Sequence, residues 1–376
     1  MIELQQIVRA YQAARASGRP FVLATVVQTR GSSYRRAGAR MLMADGAQLA
    51  GAISGGCLEG DLLRKAWWRT ADGPTIVRYD SSVDEADEIA WGLGCNGVID
   101  VLLERVTPGA PADPLAFLQR CATARQAGVL ATVIAAEDAS GAQVGQRLLL
   151  DERGVVACSL ADDLLAAEVA RDAAVARRDG RSQHRAYRDG AVTLFLEVVL
   201  PPLPLVIFGG GYDVVPLVEQ AKAVGWHVTV VEQQARPSTR ARFAAADRVL
   251  VGDATTLALT PSTAVVVMTH HFERDRSLLR TLLKSPVGYL GVLGARERSR
   301  RLLAELAASG CVPTARELAR LHAPVGLDVG AEGADEIALA IVAEVQSLLA
   351  RRATRPRRDE PVPTPAARSA FDLAVA

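Results

Sequence analysis

The sequence is poor in most of the features that announce a function. Aromatic residues make up only 5% of its 376 residues, and only Lys65, Lys222 and Lys284 are lysine. Arginine supplies the remaining basic side chains, a bias of the kind that codon usage produces and to which no function is attached. Charge of one sign is also missing: 43 basic against 42 acidic residues leave a net charge of +1. No general field therefore draws nucleic acid or anionic lipid, and any anion site must be local. Five cysteines, Cys57, Cys95, Cys121, Cys158 and Cys311, form no Cys-x-x-Cys pair. The odd count speaks against a disulfide framework or a structural zinc site and leaves free thiols. The most apolar stretch, 191–208, is broken by Glu197 and by Pro201, Pro202 and Pro204, so it reads as two strands around a linker rather than a membrane helix. The opening Met1-Ile2-Glu3-Leu4-Gln5-Gln6 lacks the basic and apolar regions of a secretory signal, which gives the expectation of a cytoplasmic protein.

What is present is an ordinary globular balance, 49% hydrophobic and 23% charged with 31 glycines, in a chain long enough for two or three domains. The periodicity predicts an α/β protein. A helix over 2–16 carries Leu4, Ile7, Val8 and Tyr11 on one face; strands follow at 21–29, 39–44 and 48–54, a helix at 60–70, and strands at 75–79 and 98–105. This first module spans 1–106. Val22-Leu23-Ala24-Thr25-Val26 then recurs as Val129-Leu130-Ala131-Thr132-Val133, and Arg40-Met41-Leu42-Met43 as Arg147-Leu148-Leu149-Leu150, both displaced by 107 positions. Each copy closes on a strand ending in Glu104 or Glu197, so 107–200 reads as a degenerate second copy packed with the first. It has kept the frame and lost the glycines, since Ser54-Gly55-Gly56-Cys57 corresponds to Ala161-Asp162-Asp163-Leu164.

After Pro201-Pro202-Leu203-Pro204 the pattern changes to alternating strands and helices, which predicts a doubly wound, Rossmann-like parallel sheet over 203–350. The Arg-, Pro- and Ala-rich stretch 351–376 has no periodicity and is expected to be a disordered tail.

Three groups of residues carry candidate chemistry. Gly209-Gly210-Gly211-Tyr212-Asp213-Val214 follows a strand, opens a helix and precedes Glu232 at the end of the next strand. Gly209 permits the turn, Gly211 lets amides approach a pyrophosphate, and Glu232 suits a ribose hydroxyl; Val214 replaces the third glycine, so a bound nucleotide and a vestigial turn both remain open. At later strand ends lie His270, a proton-handling candidate with His271 as competitor, Gly294 at a helix N-terminus suited to an anion, and Asp328. In the first module, Ser54-Gly55-Gly56-Cys57-Leu58-Glu59-Gly60 and Gly92-Leu93-Gly94-Cys95-Asn96-Gly97 put two thiols on glycine-rich turns, where amide dipoles favour thiolate and thiolate suits a soft metal or sulfur transfer. Arg30, Ser32, Ser33 and Arg35 share a turn whose guanidiniums and hydroxyls suit phosphate, although a solvated loop explains them as well. The acidic run Asp84, Glu85, Asp87 and Glu88 reads as a helix start.

Four stretches together resemble the XdhC/CoxI family of accessory proteins for molybdenum hydroxylases such as xanthine dehydrogenase. They are Thr29-Arg30-Gly31-Ser32-Ser33, 54–60, Trp91-Gly92-Leu93-Gly94-Cys95, and His322 to Glu332 with Glu336-Ile337-Ala338, and the resemblance covers roughly 20–347. It implies a non-catalytic protein that binds molybdenum cofactor, supports its sulfuration with a cysteine desulfurase, and delivers it to the hydroxylase large subunit; a homodimer stays open. On that reading Cys57 and Cys95 serve the chemistry or touch molybdenum, while Arg30, Ser32, Ser33, Arg35, Gly55, Gly56, Glu59, Gly94 and Asn96 hold the cofactor. Two departures stand out: Tyr212-Asp213 replaces the His-Val of the family's Gly-Ala-Gly-His-Val turn, and Tyr34 replaces the Pro of its Gly-Ser-Ser-Pro turn. The rival is an NAD(P)-dependent oxidoreductase in which Gly209, Gly211 and Glu232 bind the cofactor and His270 moves a proton; the third is a scaffold with an empty Rossmann domain.

Overall fold

The computed structural model describes residues 2–18, 20–31, 33–56, 58–80, 97–233, 237–252 and 257–349. They fall into two compact units, one spanning Ile2–Pro201 and the other beginning at Pro202. No helix among the described residues is long and apolar enough to cross a membrane.

The first unit opens with α1 (Ile2–Ser17), β1 (Phe21–Gly31), β2 (Arg40–Ala44), β3 (Ala47–Gly51), α2 (Glu59–Arg69), β4 (Thr75–Asp80) and β5 (Gly97–Val106). It continues with α3 (Pro114–Ala124), β6 (Gly128–Ala136), β7 (Arg147–Asp151), β8 (Gly154–Cys158), α4 (Asp163–Asp179), β9 (Gln183–Tyr187) and β10 (Val192–Val199). Two five-stranded antiparallel sheets result, ordered β3-β2-β1-β5-β4 and β8-β7-β6-β10-β9. The second repeats the first strand for strand, and its register repeats too: Leu23 faces Leu42 and Leu130 faces Leu149, while Thr25 faces Arg40 and Thr132 faces Arg147.

Phe21 to Val27 is buried throughout because both faces of β1 are covered. Val22, Ala24, Val26, Met41 and Met43 pack with Leu62 of α2 on one face. On the alternate face, Phe21, Leu23 and Leu42 share a core with Leu130 and Leu149 of the second sheet, and with Ile7 and Tyr11 of α1 and Leu115 and Phe117 of α3. The helix α4 covers the remaining face of the second sheet through Leu165, Val169 and Ala173. The two copies thus bury their common face together.

That shared face holds two buried ion pairs. Arg40 of the first copy binds Glu197 of the second, and Arg147 of the second binds Glu104 of the first. Arg40 Nη1 donates to Glu197 Oε1 at 2.8 Å and to the Gly38 carbonyl at 2.9 Å; Arg147 Nε likewise donates to the Gly145 carbonyl at 3.1 Å. Gly38 has φ +96°, and a Cβ there would come within 3.0 Å of Glu197 Oε1, so a side chain at this position would press on the pair.

The expected strand 48–54 stops at Gly51. Gly51 turns at φ +74°, and the amides of Ile53 and Ser54 bond the Glu59 carboxylate instead of a neighbouring strand.

The second unit contains β11 (Pro204–Phe208), α5 (Val214–Ala223), β12 (His227–Glu232), α6 (Pro237–Arg242), β13 (Arg248–Val251), β14 (Ala264–Val267), α7 (Phe272–Leu282), β15 (Tyr289–Val292), α8 (Arg296–Ala308), α9 (Ala315–Leu318), β16 (Leu321–His322) and α10 (Ala334–Leu349). All its strand pairs are parallel, in the order β13-β12-β11-β14-β15-β16, the doubly wound arrangement with its switch point between β11 and β14. Continuous apolar strands such as Leu205-Val206-Ile207-Phe208 are buried on both sides, with α5 and α10 in one core cluster and α7 and α8 in the other.

Truncating one partner of a crossed pair strands a buried charge. Arg147→Ala should cost about 3–5 kcal/mol in urea unfolding, and adding an apolar replacement for Glu104 (Arg147→Met with Glu104→Leu) should recover much of it. A loss below about 1 kcal/mol for the single variant would contradict this account.

Candidate functional site

In the first unit, the candidate residues that are described gather at one end of the first sheet. The register places Gly31, at the end of β1, beside Gly97, at the start of β5, and sets Asp80 of β4 beside Val98. Asp80 and Gly97 bracket the stretch that carries Gly94, Cys95 and Asn96. Those three residues, with Ser32 and Cys57, lie outside the described residues, as do the acidic run 84–88 and the tail 351–376.

The turn before α2 is built around Glu59, which is only 6% exposed. Its Oε1 accepts from the amides of Ile53 at 3.1 Å and Ser54 at 2.8 Å, and its Oε2 takes the Ser54 hydroxyl. Ser54 Oγ in turn accepts from the amides of Gly56 at 3.2 Å and Leu58 at 3.1 Å. Burial works against ionisation of Glu59, but these donors outweigh it and hold the carboxyl below the usual range. Glu59, expected to touch the cofactor, spends its carboxylate on the shape of the turn. Gly55 and Gly56 stay exposed at the tip.

The second turn, following β1, is tied to the first. Arg35 pairs with Glu3 in the first turn of α1, and Glu3 Oε1 also accepts from the amide of Ala52 at 2.9 Å. One carboxylate therefore clamps both turns. Ser33 Oγ donates to the Arg35 carbonyl at 2.7 Å, so both Ser33 and Arg35 already serve the turn's own geometry. Arg30 is exposed beside Val98. Sequence reading missed Glu3 because nothing in its spacing distinguishes it from any acidic residue in a first helical turn.

In the second unit, Gly209 follows β11 with φ +154°, and a Cβ there would collide with the Met268 carbonyl after β14. The close approach explains the glycine without a nucleotide. The Glu232 carboxylate lies directly over Gly210, with Arg274 Nη1 3.9 Å away, and the Asp213 carboxylate lies against Gly211, the glycine on which a pyrophosphate would approach. Arg242 donates to the Gly210 carbonyl, and its guanidinium lies 4.2 Å from the centre of the Tyr212 ring. As placed, Asp213 stands in the approach to Gly211, while Glu232 keeps the strand-end position from which an acidic residue meets a ribose.

His270 has the partner that the sequence withheld: its Nε2 lies 2.7 Å from Asp213 Oδ2. It adopts φ +57°, a left-handed conformation that side chains resist, at the sheet's switch point. His271 instead lines a separate cleft of about 460 Å³ with Arg274 and Gly252. Gly294 and Asp328 come together on a groove of about 470 Å³, with Ala295, Arg296, Val325 and Leu327 among its walls.

Comparison with known proteins agrees with the architecture. The XdhC Rossmann domain profile matches residues 205–345. The XdhC and CoxI family profile matches twice, at 14–80 and at 121–188. A Bacillus subtilis (strain 168) protein, named as a probable subunit of xanthine dehydrogenase, is 30% identical over 338 residues, covering 86% of this chain and 92% of that one. The chain belongs to the XdhC/CoxI family. A solved structure from Bacillus halodurans, described as a xanthine dehydrogenase, is 29% identical with a TM-score of 0.72, covering 95% of this chain and 98% of that one. The Escherichia coli (strain K12) "Molybdenum cofactor insertion chaperone PaoD" is 23% identical over 344 residues, 91% of this chain and 87% of its own.

The XdhC/CoxI-like motif beginning at His322 has its own anchor. Glu344 of α10 accepts from the Tyr289 hydroxyl at 2.5 Å, from the Gly326 amide at 2.9 Å, and pairs with His322 Nδ1 at 2.9 Å. The Tyr289 and His322 rings stack with centroids 4.5 Å apart. Burial opposes the charge on Glu344, yet these contacts hold its carboxyl below the usual range, while burial and the same carboxylate push the Tyr289 phenol up. The folded pKa of Glu344 being the lower one, its contribution to stability is complete above the ordinary glutamate range and fades as pH falls through the folded value. The stability gap between the parent and Glu344→Gln should be widest at neutral pH and close in acid, as read from denaturant midpoints across a pH series.

Proposed function

We propose that this XdhC/CoxI member is a cytoplasmic accessory protein, not an enzyme, that binds molybdenum cofactor and passes it to the large subunit of a molybdenum hydroxylase. The observation that carries the reading is near full-length similarity to a molybdenum cofactor insertion chaperone and to a protein named for xanthine dehydrogenase, together with one glycine-rich end of the sheet that only the first copy retains. At that end, the exposed amide of Gly55 and the guanidinium of Arg30 suit the phosphate of a pterin cofactor. Cys57 and Cys95 are the proposed soft donors, holding molybdenum or the sulfur destined for it, with a cysteine desulfurase as the sulfur source. Gly94, Asn96 and Ser32 belong to the same proposed cradle.

The test is oxygen-free purification followed by mass spectrometry of the bound ligand. A molybdopterin species is the expected result; absence of pterin, with no uptake of added cofactor, would reject the reading. Cys57→Ala and Cys95→Ala should fold as the parent does and retain less cofactor, and equal retention in both would remove the thiols from the assignment.

The oxidoreductase reading loses support from the Asp213 carboxylate against Gly211. Calorimetric titration with NAD(H) and NADP(H) should show no saturable binding to the parent protein, and saturable binding followed by turnover would restore the rival.

A further inference from the structure

We propose that Tyr34 is the aromatic platform on which the planar pterin of the cargo stacks, an inference that rests on the molybdenum-cofactor reading above. In a chain with so few aromatics, Tyr34 is 72% exposed, contributing nothing to a core. The turn that carries it is tied down. The Arg35 backbone beside it is held by the Ser33 hydroxyl, and the Arg35 side chain by Glu3. Through the Ala52 amide, Glu3 also fixes the turn that carries Gly55. The position of a Cβ on Gly55 lies 4.0 Å from Tyr34 Cδ1, so the ring borders the exposed backbone of Gly55. An aromatic ring and the peptide groups that flank Gly55 thus face solvent side by side. That combination suits a flat, polar heterocycle that can stack on one side and hydrogen-bond at its rim.

The second copy acts as an internal control. At the same displacement of 107, Glu3, Tyr34, Arg35 and Ser54 correspond to Ala110, Gly141, Ala142 and Ala161. The clamp, the ring and the serine that shapes the turn are absent together, although the sheet beneath them is repeated strand for strand. A ring kept only for folding would be needed by both frames.

The experiment uses the full chain and molybdenum cofactor released anaerobically from a purified molybdenum hydroxylase, with retained cofactor measured by its pterin fluorescence after oxidation. Tyr34→Ala should bind about tenfold more weakly than the parent with an unchanged thermal midpoint, while Tyr34→Phe and Tyr34→Trp should bind as the parent does. Equal binding by Tyr34→Ala, or failure of phenylalanine to substitute, would overturn the platform while leaving the cofactor reading intact. So would a Tyr34→Ala protein that keeps its affinity but no longer transfers cofactor to the apo-hydroxylase, since the ring would then be a contact for the client. A parent protein that binds no cofactor would overturn both.

Discussion

The crossed ion pairs, Arg40 with Glu197 and Arg147 with Glu104, are the constraint on which the first unit depends. Each copy supplies an arginine from its second strand and a glutamate from its last, and each charge is neutralised only by the other copy. An isolated copy would leave both of its charges on an exposed apolar face. Buried ion pairs are weak sources of net stability, since desolvation consumes most of their attraction. Their effect here is on register: a one-residue slip of β2 or β10 within its own sheet would turn Arg40 or Glu197 to the opposite face, away from its partner. The glutamates and arginines sit among Leu23, Leu42, Leu130 and Leu149, so the apolar contacts supply the attraction and the charges select the alignment.

With the frame shared, the two copies are free to differ at their turns. The first carries a glycine-rich turn shaped by Glu59 and Ser54 and clamped to its neighbour by Glu3; the second has none of these residues at corresponding positions. Several residues with polar chemistry prove to be internal scaffolding. Glu59, Ser33 and Arg35 hold the two turns in shape, which leaves Gly55, Gly56 and the ring of Tyr34 exposed. The parallel sheet shows a related economy. Its glycine turn is explained at Gly209 by the Met268 carbonyl, and the Asp213 carboxylate lies against Gly211.

Local sequence carried much of this. The 107-residue displacement was legible because repeated strands must repeat their apolar pattern, and the βαβ spacing after Pro204 was legible because a parallel strand buried on both faces is continuously apolar. The strand read through 48–54 was wrong at its end because a carboxylate five residues later captures the amides of Ile53 and Ser54, and periodicity does not register such competition. The partner of His270 was not legible because Asp213 lies 57 positions away.

The sequence by itself determined the family, the order of a mixed α/β unit before a doubly wound one, and the positions of the glycine-rich segments that carry Cys57 and Cys95, all of which follow from short-range pattern. Only the tertiary structure decided which charged residues are spent on the fold and which face solvent. Arg40 and Glu197 are 157 positions apart, and Glu3 meets Arg35 across 32. A side chain's role depends on what surrounds it in space, and burial, pairing and the shift of a carboxyl's acidity arise only when distant strands bring those neighbours together.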